Sequence, residues 1–387
     1  MSKSKVYFTN FRTSTSVSLL KKLKNLLKAS GIEQLDCKDK FTAIKIHFGE
    51  PGNMSYIRPN YANVVVKVLQ EMGAKVFLTD CNTLYSGGRS NGVDHLFAAS
   101  ANGYNLLQVN APVVIADGIK GTEYVEMPVE GGEYCSSAKI GAAVANADVI
   151  VSMSHFKGHE MTGFGGALKN LGMGAASVGG KLFLHSEAQP EIAEKECVCC
   201  RACEKHCAHD AIHVDKEVRH SAVIDYTKCV GCGQCVAVCQ FDAARVVHNS
   251  SSKVINYKIA EYTKAILADK PHFHIAMIMD VSPECDCWGS NDAAIVPNIG
   301  MACSTDPVAL DMACADLVMG APAIQGTMYT DKYKSYVKST PDQYSCNCNG
   351  ENDKFFYMHP STDWKSGLLH AEKIGLGSTE YELITIK

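Results

Sequence analysis

Two groups of cysteines in the middle of the chain restrict its fold more than any other feature. Each group follows the spacing C-x2-C-x2-C-x3-C, and the two groups begin 32 residues apart, which indicates an internal duplication. Because the gaps are short, one tight loop can bring three sulfurs of a group around a small centre, while the fourth leaves on the following turn. The first group is Cys197, Cys200, Cys203 and Cys207, and the second is Cys229, Cys232, Cys235 and Cys239.

This spacing resembles the ligand runs of bacterial two-cluster ferredoxins, in which the fourth cysteine of each run binds the cluster of the other run. The resemblance implies two [4Fe–4S] clusters with crosswise ligands. The first cluster would take Cys197, Cys200, Cys203 and Cys239, and the second would take Cys229, Cys232, Cys235 and Cys207. The alternatives are a disulfide framework and a zinc site, but zinc needs only four ligands and rarely uses two interlocked runs.

Two details depart from the ferredoxin pattern. The fourth cysteine of each run is followed by Ala208 or Gln240, where ferredoxins usually have proline. Cys199 stands directly beside Cys200 and could compete for iron. We interpret Cys199 as a bystander to the cluster ligands.

Composition and charge indicate a globular protein of a reducing compartment. The chain has 387 residues, of which 46% are hydrophobic, and a net charge of -4, which gives no reason to expect nucleic acid or an anionic membrane as a partner. No apolar run approaches the roughly 20 residues of a membrane span, and the first residues lack a signal-peptide core. We therefore predict a cytoplasmic protein, in an anaerobic setting, whose 18 cysteines are ligands and buried thiols rather than disulfides. The predicted buried thiols are Cys37, Cys81, Cys135, Cys303 and Cys314.

The segments on both sides of the cysteine runs alternate strand and helix signals. Strands are predicted at residues 5–9, 42–48, 75–79, 113–116, 148–153, 273–279 and 382–386. Helices are predicted at 14–29, 59–72, 93–100, 259–268, 308–319 and 364–374. Helices placed between strands favour a layered α/β domain with a mainly parallel sheet. Residues 249–253, Asn-Ser-Ser-Ser-Lys, are interpreted as a polar linker, and residues 295–301 as strand or loop.

We predict that the cysteine-rich segment is a module inserted into this domain. Residues 1–190 and 249–387 would form the two parts of the α/β domain, and residues 191–248 an α+β ferredoxin-like module. The part after the module has too few strands to bury its own helices, which favours insertion over three consecutive domains. Alternation over residues 213–226 predicts a hairpin between the two cysteine loops.

Basic residues follow several predicted strands. Alternation along the strand at 42–48 places two of them on one face, away from Ile44, Ile46 and Phe48. Ligands of open α/β sheets bind outside the carboxyl ends of the strands. These residues therefore predict a cationic pocket for a small anionic substrate, such as a carboxylate, phosphate or enolate. They are Lys45, His47, His155, Lys157, His159 and Lys169.

A glycine-rich turn at residues 162–166 precedes Lys169 and opens toward a helix. Free backbone N–H groups at that helix start would add to the anion site. The glycines do not match G-x-G-x-x-G, because Leu168 stands at the last glycine position, so a Rossmann nucleotide site is unsupported. Two alternatives stay open: the histidines hold a metal, or each polar residue caps a strand or helix end.

Two C-x-C pairs, Cys285 with Cys287 and Cys346 with Cys348, form a third feature. On an extended chain this spacing puts both sulfurs on one side. Together the pairs would hold zinc or another iron centre as an additional metal. The alternative is that they are reduced thiols in loops.

Several motifs resemble those of a family of uncharacterised iron–sulfur centre proteins, catalogued as domain of unknown function 362. They lie at residues 45–53 (Lys-Ile-His-Phe-Gly-Glu-Pro-Gly-Asn), 79–85, 154–159, 165–172, 285–287 and 306–311. The resemblance implies an α/β domain that carries a two-cluster ferredoxin module. It implies no reaction, because fold alone does not determine chemistry.

These features favour an oxidoreductase, although the sequence leaves open whether the protein is an enzyme. The module would carry electrons between an unidentified redox partner protein and the anionic substrate. Lys45 and Lys157 would orient the substrate, and His155 or His159 would supply protons. The alternatives are a non-catalytic electron carrier or metal- or cluster-delivery protein, and a non-redox enzyme whose clusters serve structure or sensing.

Overall fold

An eight-stranded sheet forms the centre of the computed structural model, which describes residues 3–84, 87–185, 190–229, 235, 238–239, 241, 243–246, 249–339 and 353–387. From edge to edge its strands are β16 (Tyr381–Thr385), β1 (Ser4–Asn10), β15 (Gly300–Ser304), β14 (His272–Ile278), β7 (Val149–His155), β2 (Phe41–Ile46), β3 (Lys75–Asp80) and β4 (Val113–Ile115). Only β15 runs against its neighbours. The predicted α/β fold with a mainly parallel sheet is therefore confirmed.

Both parts of the chain that flank the cysteine runs contribute to this sheet. β14 follows the cysteine runs and pairs in parallel with β7, which precedes them. β1 pairs with β15 on one side and with β16 on the other. The two parts therefore share one sheet, as the insertion hypothesis requires, whereas the exact domain boundaries stay a prediction.

Helices cover both faces of the sheet. They are α1 (Leu19–Ala29), α2 (Pro59–Glu71), α3 (Gly92–Ala101), α4 (Leu106–Val109), α5 (Ala142–Ala145), α6 (Ala167–Gly172), α7 (Val178–His185), α8 (Ala202–Lys205), α9 (Asn249–Leu267), α10 (Pro307–Gly320), α11 (Met328–Ser339), α12 (Lys354–Met358) and α13 (Trp364–Lys373). Successive residues of β7 serve two cores: Val149 and Val151 pack with α1 and α2, and Ile150 packs with α9 and α10. This period of two is why β7 reads as a continuous apolar run. No described helix is both long enough and apolar enough for a bilayer crossing.

The other described strands form four antiparallel pairs. They are β5 (Tyr124–Pro128) with β6 (Ser137–Gly141), β8 (Lys157–His159) with β9 (Gly163–Gly165), β10 (Pro190–Ile192) with β13 (Ala244–Val246), and β11 (Ile212–Asp215) with β12 (Ser221–Ile224). β11 and β12 are the hairpin predicted between the two cysteine loops.

Most predicted elements lie within a few residues of the observed ones, but the polar linker is wrong. Residues 249–253 are the beginning of α9. Ser252 is buried there, and its Oγ accepts a hydrogen bond from the backbone N–H of Asp363 at 3.0 Å. Tertiary packing thus makes a helix of a segment whose composition is typical of a loop. Helix α1 also differs from its prediction, because it begins five residues later, at Leu19. The Ser18 side chain accepts a hydrogen bond from the N–H of Lys21 and so caps the helix.

Gly172 allows α6 and α9 to cross in close contact. A Cβ at this position would overlap the carbonyl oxygen of Ile259 and lie 2.8 Å from Thr263 Oγ1. We expect Gly172→Ala to lower the free energy of unfolding by about 1–3 kcal/mol in urea denaturation, because the helices must separate. Gly320→Ala is the control, since a Cβ there meets no atom within 4 Å. Equal stability of the two variants would contradict the close crossing.

Candidate functional site

A buried polar cavity lies at the carboxyl edge of the parallel strands. Lys45 comes from the end of β2, Asp80 from the end of β3 and His155 from the end of β7, and all three line it. This is the position expected of a ligand site in an open α/β sheet. The structure brings five of the six predicted basic residues together in this cavity: Lys45, His47, His155, Lys157 and Lys169.

His159, the sixth residue, lines an adjoining cavity that shares Lys169, Lys181 and Cys287 with the first. Lys157 and His159 lie on β8, where alternation gives them one face. Gly158 between them faces the carbonyl of Pro283, and a Cβ would overlap that oxygen. A strand, rather than a helix, therefore explains the spacing of these residues.

Lys45 is held at the cavity by an acidic and an amide partner. Its Nζ lies 2.9 Å from Asp80 Oδ1 and donates to Asn170 Oδ1 at 2.9 Å. Asn170 also donates to the carbonyls of Lys45 and Met153 at 3.1 and 3.0 Å, which ties α6 to β2 and β7. Burial would raise the pKa of Asp80, but the positive charge of Lys45 holds that pKa well below its usual range. Burial lowers the pKa of Lys45 itself, although Asp80 opposes this effect.

Asp286 is the centre of a second buried group of charges, which sequence reasoning missed. Its Oδ2 lies 2.7 Å from His155 Nδ1 and 3.2 Å from Lys157 Nζ. Burial would raise the pKa of Asp286, but these two partners hold it well below its usual range. His155 Nε2 is 2.7 Å from the carbonyl of Met279, so both partners of the ring are acceptors and both nitrogens donate. Both N–H groups of the His155 ring are thus engaged by Asp286 and Met279, and the supply of protons by His155 stays a prediction.

His47 presents one ring nitrogen to the cavity. Its Nδ1 accepts a hydrogen bond from the N–H of Gly49 at 3.0 Å, so the proton of the neutral ring is on Nε2. Burial, with the positive charge of Arg89, lowers the pKa of His47 well below 6.5. Among the described residues that line this cavity, His47 Nε2 and Asp80 Oδ2 are buried without a hydrogen-bond partner. Because buried polar atoms are almost always paired, these two atoms indicate a place for a polar ligand.

Acidic side chains make the cavity less cationic than the sequence predicts. Lys45 and Lys157 form ion pairs with Asp80 and Asp286. Arg89 forms a third ion pair, in which its Nε is 2.7 Å from Glu50 Oε2. Lys181, which sequence reasoning missed, differs from these cations. Its ammonium donates to the carbonyl of Ala176, and it makes no ion pair with any described residue. Lys181 is therefore the cation of this cavity best placed to take a new anionic partner.

The glycine-rich turn does not provide free N–H groups, and this prediction is wrong. The first N–H groups of α6, those of Ala167 and Leu168, donate to the Asp311 carboxylate at 2.6 and 2.9 Å. The protein's own carboxylate thus occupies the helix N-terminus. Sequence reasoning could not see this contact, because Asp311 lies on α10, 144 residues after Ala167.

Cys285 and Cys287 line the same cavity. The N–H of Trp288 donates to the carbonyl of Cys285 at 3.3 Å, so the pair lies in a turn and not on the extended chain that was predicted. Lys169 Nζ lies 3.3 Å from Cys285 Sγ. Hydrogen bonding from Cys287 lowers the pKa of Cys285 well below its ordinary value, and Lys169 adds to this against the effect of burial. Burial raises the pKa of Cys287.

The described residues contain no group of three or more His, Cys, Asp or Glu side chains arranged to bind a metal ion. His159 is arranged as a hydrogen-bond donor. Its Nδ1 accepts the N–H groups of Met161 and Thr162, both at 3.1 Å, so its proton is on Nε2. A protonated nitrogen donates a hydrogen bond and does not ligate a metal. Cys346 and Cys348 lie outside the described residues, so a metal shared with them stays a prediction.

A separate cavity lies among the cysteine runs. Three cysteines of the first run and one of the second line it: Cys197, Cys200, Cys203 and Cys239. This is the set predicted for the first cluster, and Cys199 also lines the cavity. The arrangement follows from β10 pairing with β13, which brings the start and the end of the module together.

The predicted ligands of the second cluster are described except for Cys232, which lies outside the described residues. Cys207, Cys229 and Cys235 belong to one apolar cluster with the β11–β12 hairpin. Backbone N–H groups donate to several sulfurs of the module: Ala222 to Cys197 and Ala244 to Cys239, both at 3.4 Å, and Ala211 to Cys207 at 3.3 Å. N–H···S bonds of this kind tune the potential of a bound iron–sulfur cluster. The many cysteines of the module are therefore compatible with iron–sulfur binding, whereas the number and type of clusters stay a prediction.

Buried histidines predict loss of stability in acid. Burial lowers the pKa of His95, His185 and His359 to about 3. Below about pH 6.5 the unfolded chain takes up protons that the folded chain excludes, so stability is full above that pH and falls as pH decreases. Each of these histidines lowers the free energy of unfolding by about 1.4 kcal/mol for every pH unit below about 6.5. We expect His359→Gln to reduce the slope of the unfolding free energy against pH, between about pH 6 and 4, by about 1.4 kcal/mol per pH unit. This change corresponds to one fewer proton taken up on unfolding. An unchanged slope in urea titrations would contradict a neutral His359.

The fold and the two cavities define an α/β protein with a polar site at the edge of its sheet and a cysteine-rich module. This chain belongs to the family described as Domain of unknown function (DUF362), whose profile matches residues 42–316. The resemblance to domain of unknown function 362 is thereby confirmed, whereas the iron–sulfur centre and the two-cluster ferredoxin module stay predictions. The family and the many cysteines are compatible with a metal or cluster cofactor.

Two solved structures show remote similarity to this chain. The lactate racemase apoprotein from Thermoanaerobacterium thermosaccharolyticum has a TM-score of 0.43 and 12% identity, over 98% of this chain and 82% of that one. A structural-genomics protein from Thermotoga maritima has a TM-score of 0.35 and 11% identity, over 95% of this chain and 86% of that one. Similarities this weak carry no conclusion about activity. A search of curated proteins finds no match.

Proposed function

We propose that this chain binds two [4Fe–4S] clusters and acts as an oxidoreductase on a small anionic substrate at the sheet-edge cavity. The observation that supports this most is the cavity lined by Cys197, Cys200, Cys203 and Cys239. Chance placement of reduced thiols would not unite three cysteines of one run with the fourth of the other. Bound clusters would supply single electrons, exchanged with an unidentified redox partner protein.

The cavity residues support an anionic substrate. Lys181 and Lys169 line it, and His47 offers an N–H donor from a neutral ring. An anionic group placed among them would gain charge-assisted hydrogen bonds in a site shielded from water. His159, which lines the adjoining cavity, is the proposed proton donor.

Metal analysis of protein purified without air tests the cluster proposal. We expect about eight iron and eight sulfide per chain, and paramagnetic resonance signals of reduced [4Fe–4S] clusters after dithionite treatment. Zinc, or no metal at all, would overturn the proposal. Iron in the expected amount without any turnover or anion binding would favour the electron carrier instead.

Lys181→Met tests the anion site. We expect calorimetric titration with small carboxylates or inorganic phosphate to show binding that the variant weakens by about 1.5–3 kcal/mol, because a charged hydrogen bond is lost. Lys120→Met, at an exposed lysine outside the cavity, is the control. Equal affinity of the two variants would exclude Lys181 from the site.

A further inference from the structure

The sheet-edge cavity contains a pair of thiols that the proposed function does not use. We propose that Cys285 and Cys287 form a redox-active dithiol, in which Cys285 attacks a small anionic disulfide and Cys287 resolves the resulting mixed disulfide. The inference names a substrate class for the same cavity, and it rests on the proposed function only for the anionic character of the ligand. It does not require the clusters to be present.

The surroundings of Cys285 are those of a nucleophilic thiolate. Lys169 Nζ is 3.3 Å from its sulfur. Hydrogen bonding from Cys287, the charge of Lys169 and hydrogen bonding from His159 lower the pKa of Cys285. A cation and two further hydrogen-bond donors on one sulfur stabilise the charged form, which is the form that attacks disulfides. The side chain of Lys157 adds a second positive charge nearby.

Two other described buried thiols, Cys314 and Cys303, lack these surroundings. Cys314 lies on α10 in the apolar core, where burial raises its pKa and the charge of Asp311 adds to this effect. A negative charge beside a thiol opposes its ionisation. Cys303 lies within β15 and belongs to the apolar core. These cysteines fit inert packing residues, as predicted, and serve as internal references for the reactive pair.

The turn that carries the pair is held in place on several sides. The carboxylate of Asp286, between the two cysteines, is bound by His155 and Lys157. The backbone carbonyl of Asp286 accepts the N–H of Glu50 at 3.2 Å. Because the turn is anchored and both residues line the same cavity, the second sulfur can reach the first after it has reacted. Cys287 is only half-buried and lines both cavities, so a ligand has access to the pair.

The proposed reaction balances without a further reactant. The Cys285 thiolate attacks one sulfur of a disulfide R–S–S–R, which breaks the S–S bond and releases one thiolate, R–S⁻. Cys287 then attacks the sulfur of Cys285, and the second leaving group departs with the proton of Cys287 as R–SH. The products are a Cys285–Cys287 disulfide, one thiolate and one thiol, so two electrons pass from the protein to the disulfide.

The test uses the full chain, purified without air, and dithiodipropionate as a small anionic disulfide. After acid quenching, free thiols are alkylated in denaturant, the protein is digested, and the cysteine-containing peptides are identified by mass spectrometry. We expect Cys285 and Cys287 to lose alkylation together, while Cys303 and Cys314 keep it. In the Cys287→Ser variant we expect a mixed disulfide between Cys285 and the reagent to accumulate. In the Cys285→Ser variant we expect no mixed disulfide on Cys287. A pair that stays reduced in the unmutated protein, or reacts no faster than Cys303, would overturn the dithiol proposal.

Two further measurements separate this inference from the proposed function. Iron is measured in the same samples. A reactive dithiol in a chain that binds no iron would overturn only the cluster proposal. A full iron content with an unreactive cysteine pair would overturn only the dithiol proposal. Cystamine, a cationic disulfide, is compared with dithiodipropionate at low ionic strength. Faster reaction of the anionic disulfide supports an anionic substrate, and faster reaction of cystamine would overturn that part of the proposed function.

Discussion

Replacing Asp286 with alanine is expected to lower the free energy of unfolding by about 3–5 kcal/mol. Asp286 is fully buried, and its carboxylate is the partner of both His155 and Lys157. Removing it would leave positive charge in the interior without a counterion, and the loss of stability would come from that uncompensated charge. Urea denaturation followed by circular dichroism measures the change.

Asp36→Ala is the matched control for this prediction. Asp36 also pairs with a lysine, Lys40, at 2.6 Å, but both side chains are solvent-exposed. An exposed pair of this kind contributes below about 1 kcal/mol. Equal losses in the two variants would show that burial of Asp286 does not determine its contribution.

Replacing Cys239 with alanine is expected to halve the iron content, from about eight to about four atoms per chain. Cys239 belongs to the second cysteine run, yet it lines the cavity of the first run. If it is the crosswise ligand of the first cluster, as proposed, the variant should lose that cluster and retain the second. Iron analysis and paramagnetic resonance of the reduced protein measure the loss.

Cys199→Ala provides the control, because Cys199 lines the same cavity without belonging to the C-x2-C-x2-C-x3-C pattern. We expect this variant to keep its full iron content. If it lost iron while Cys239→Ala kept it, the crosswise assignment would be wrong, and Cys199 would have to be counted among the ligands.

Much of the candidate site could be predicted because it depends on short-range pattern. Alternation along β2 puts Lys45 and His47 on one face, and both line the cavity. The parallel strands then bring the carboxyl ends of β2, β3 and β7 to one edge without any knowledge of side-chain contacts. The ferredoxin resemblance of the cysteine runs likewise anticipated four of the five cysteines that line the module cavity, the fifth being Cys199.

The acidic half of the site could not be predicted in this way. His155 and Asp286 are 131 residues apart, and no local pattern relates them. The same holds for Arg89 and Glu50, whose pairing shows only when the loops after β2 and β3 meet. These contacts turned an expected cationic pocket into a network of paired charges.

By itself, the amino-acid sequence determined what repeats over a few residues: the strands and helices, the basic faces of the strand ends and the cysteine spacing. Only the tertiary structure decided which groups neutralise one another, that Asp311 occupies the helix start, and that Cys285 meets Lys169. The reason is physical. Backbone geometry repeats over two to four residues and is therefore encoded locally, whereas a buried charge must find its partner wherever the folded chain brings one within a few ångströms.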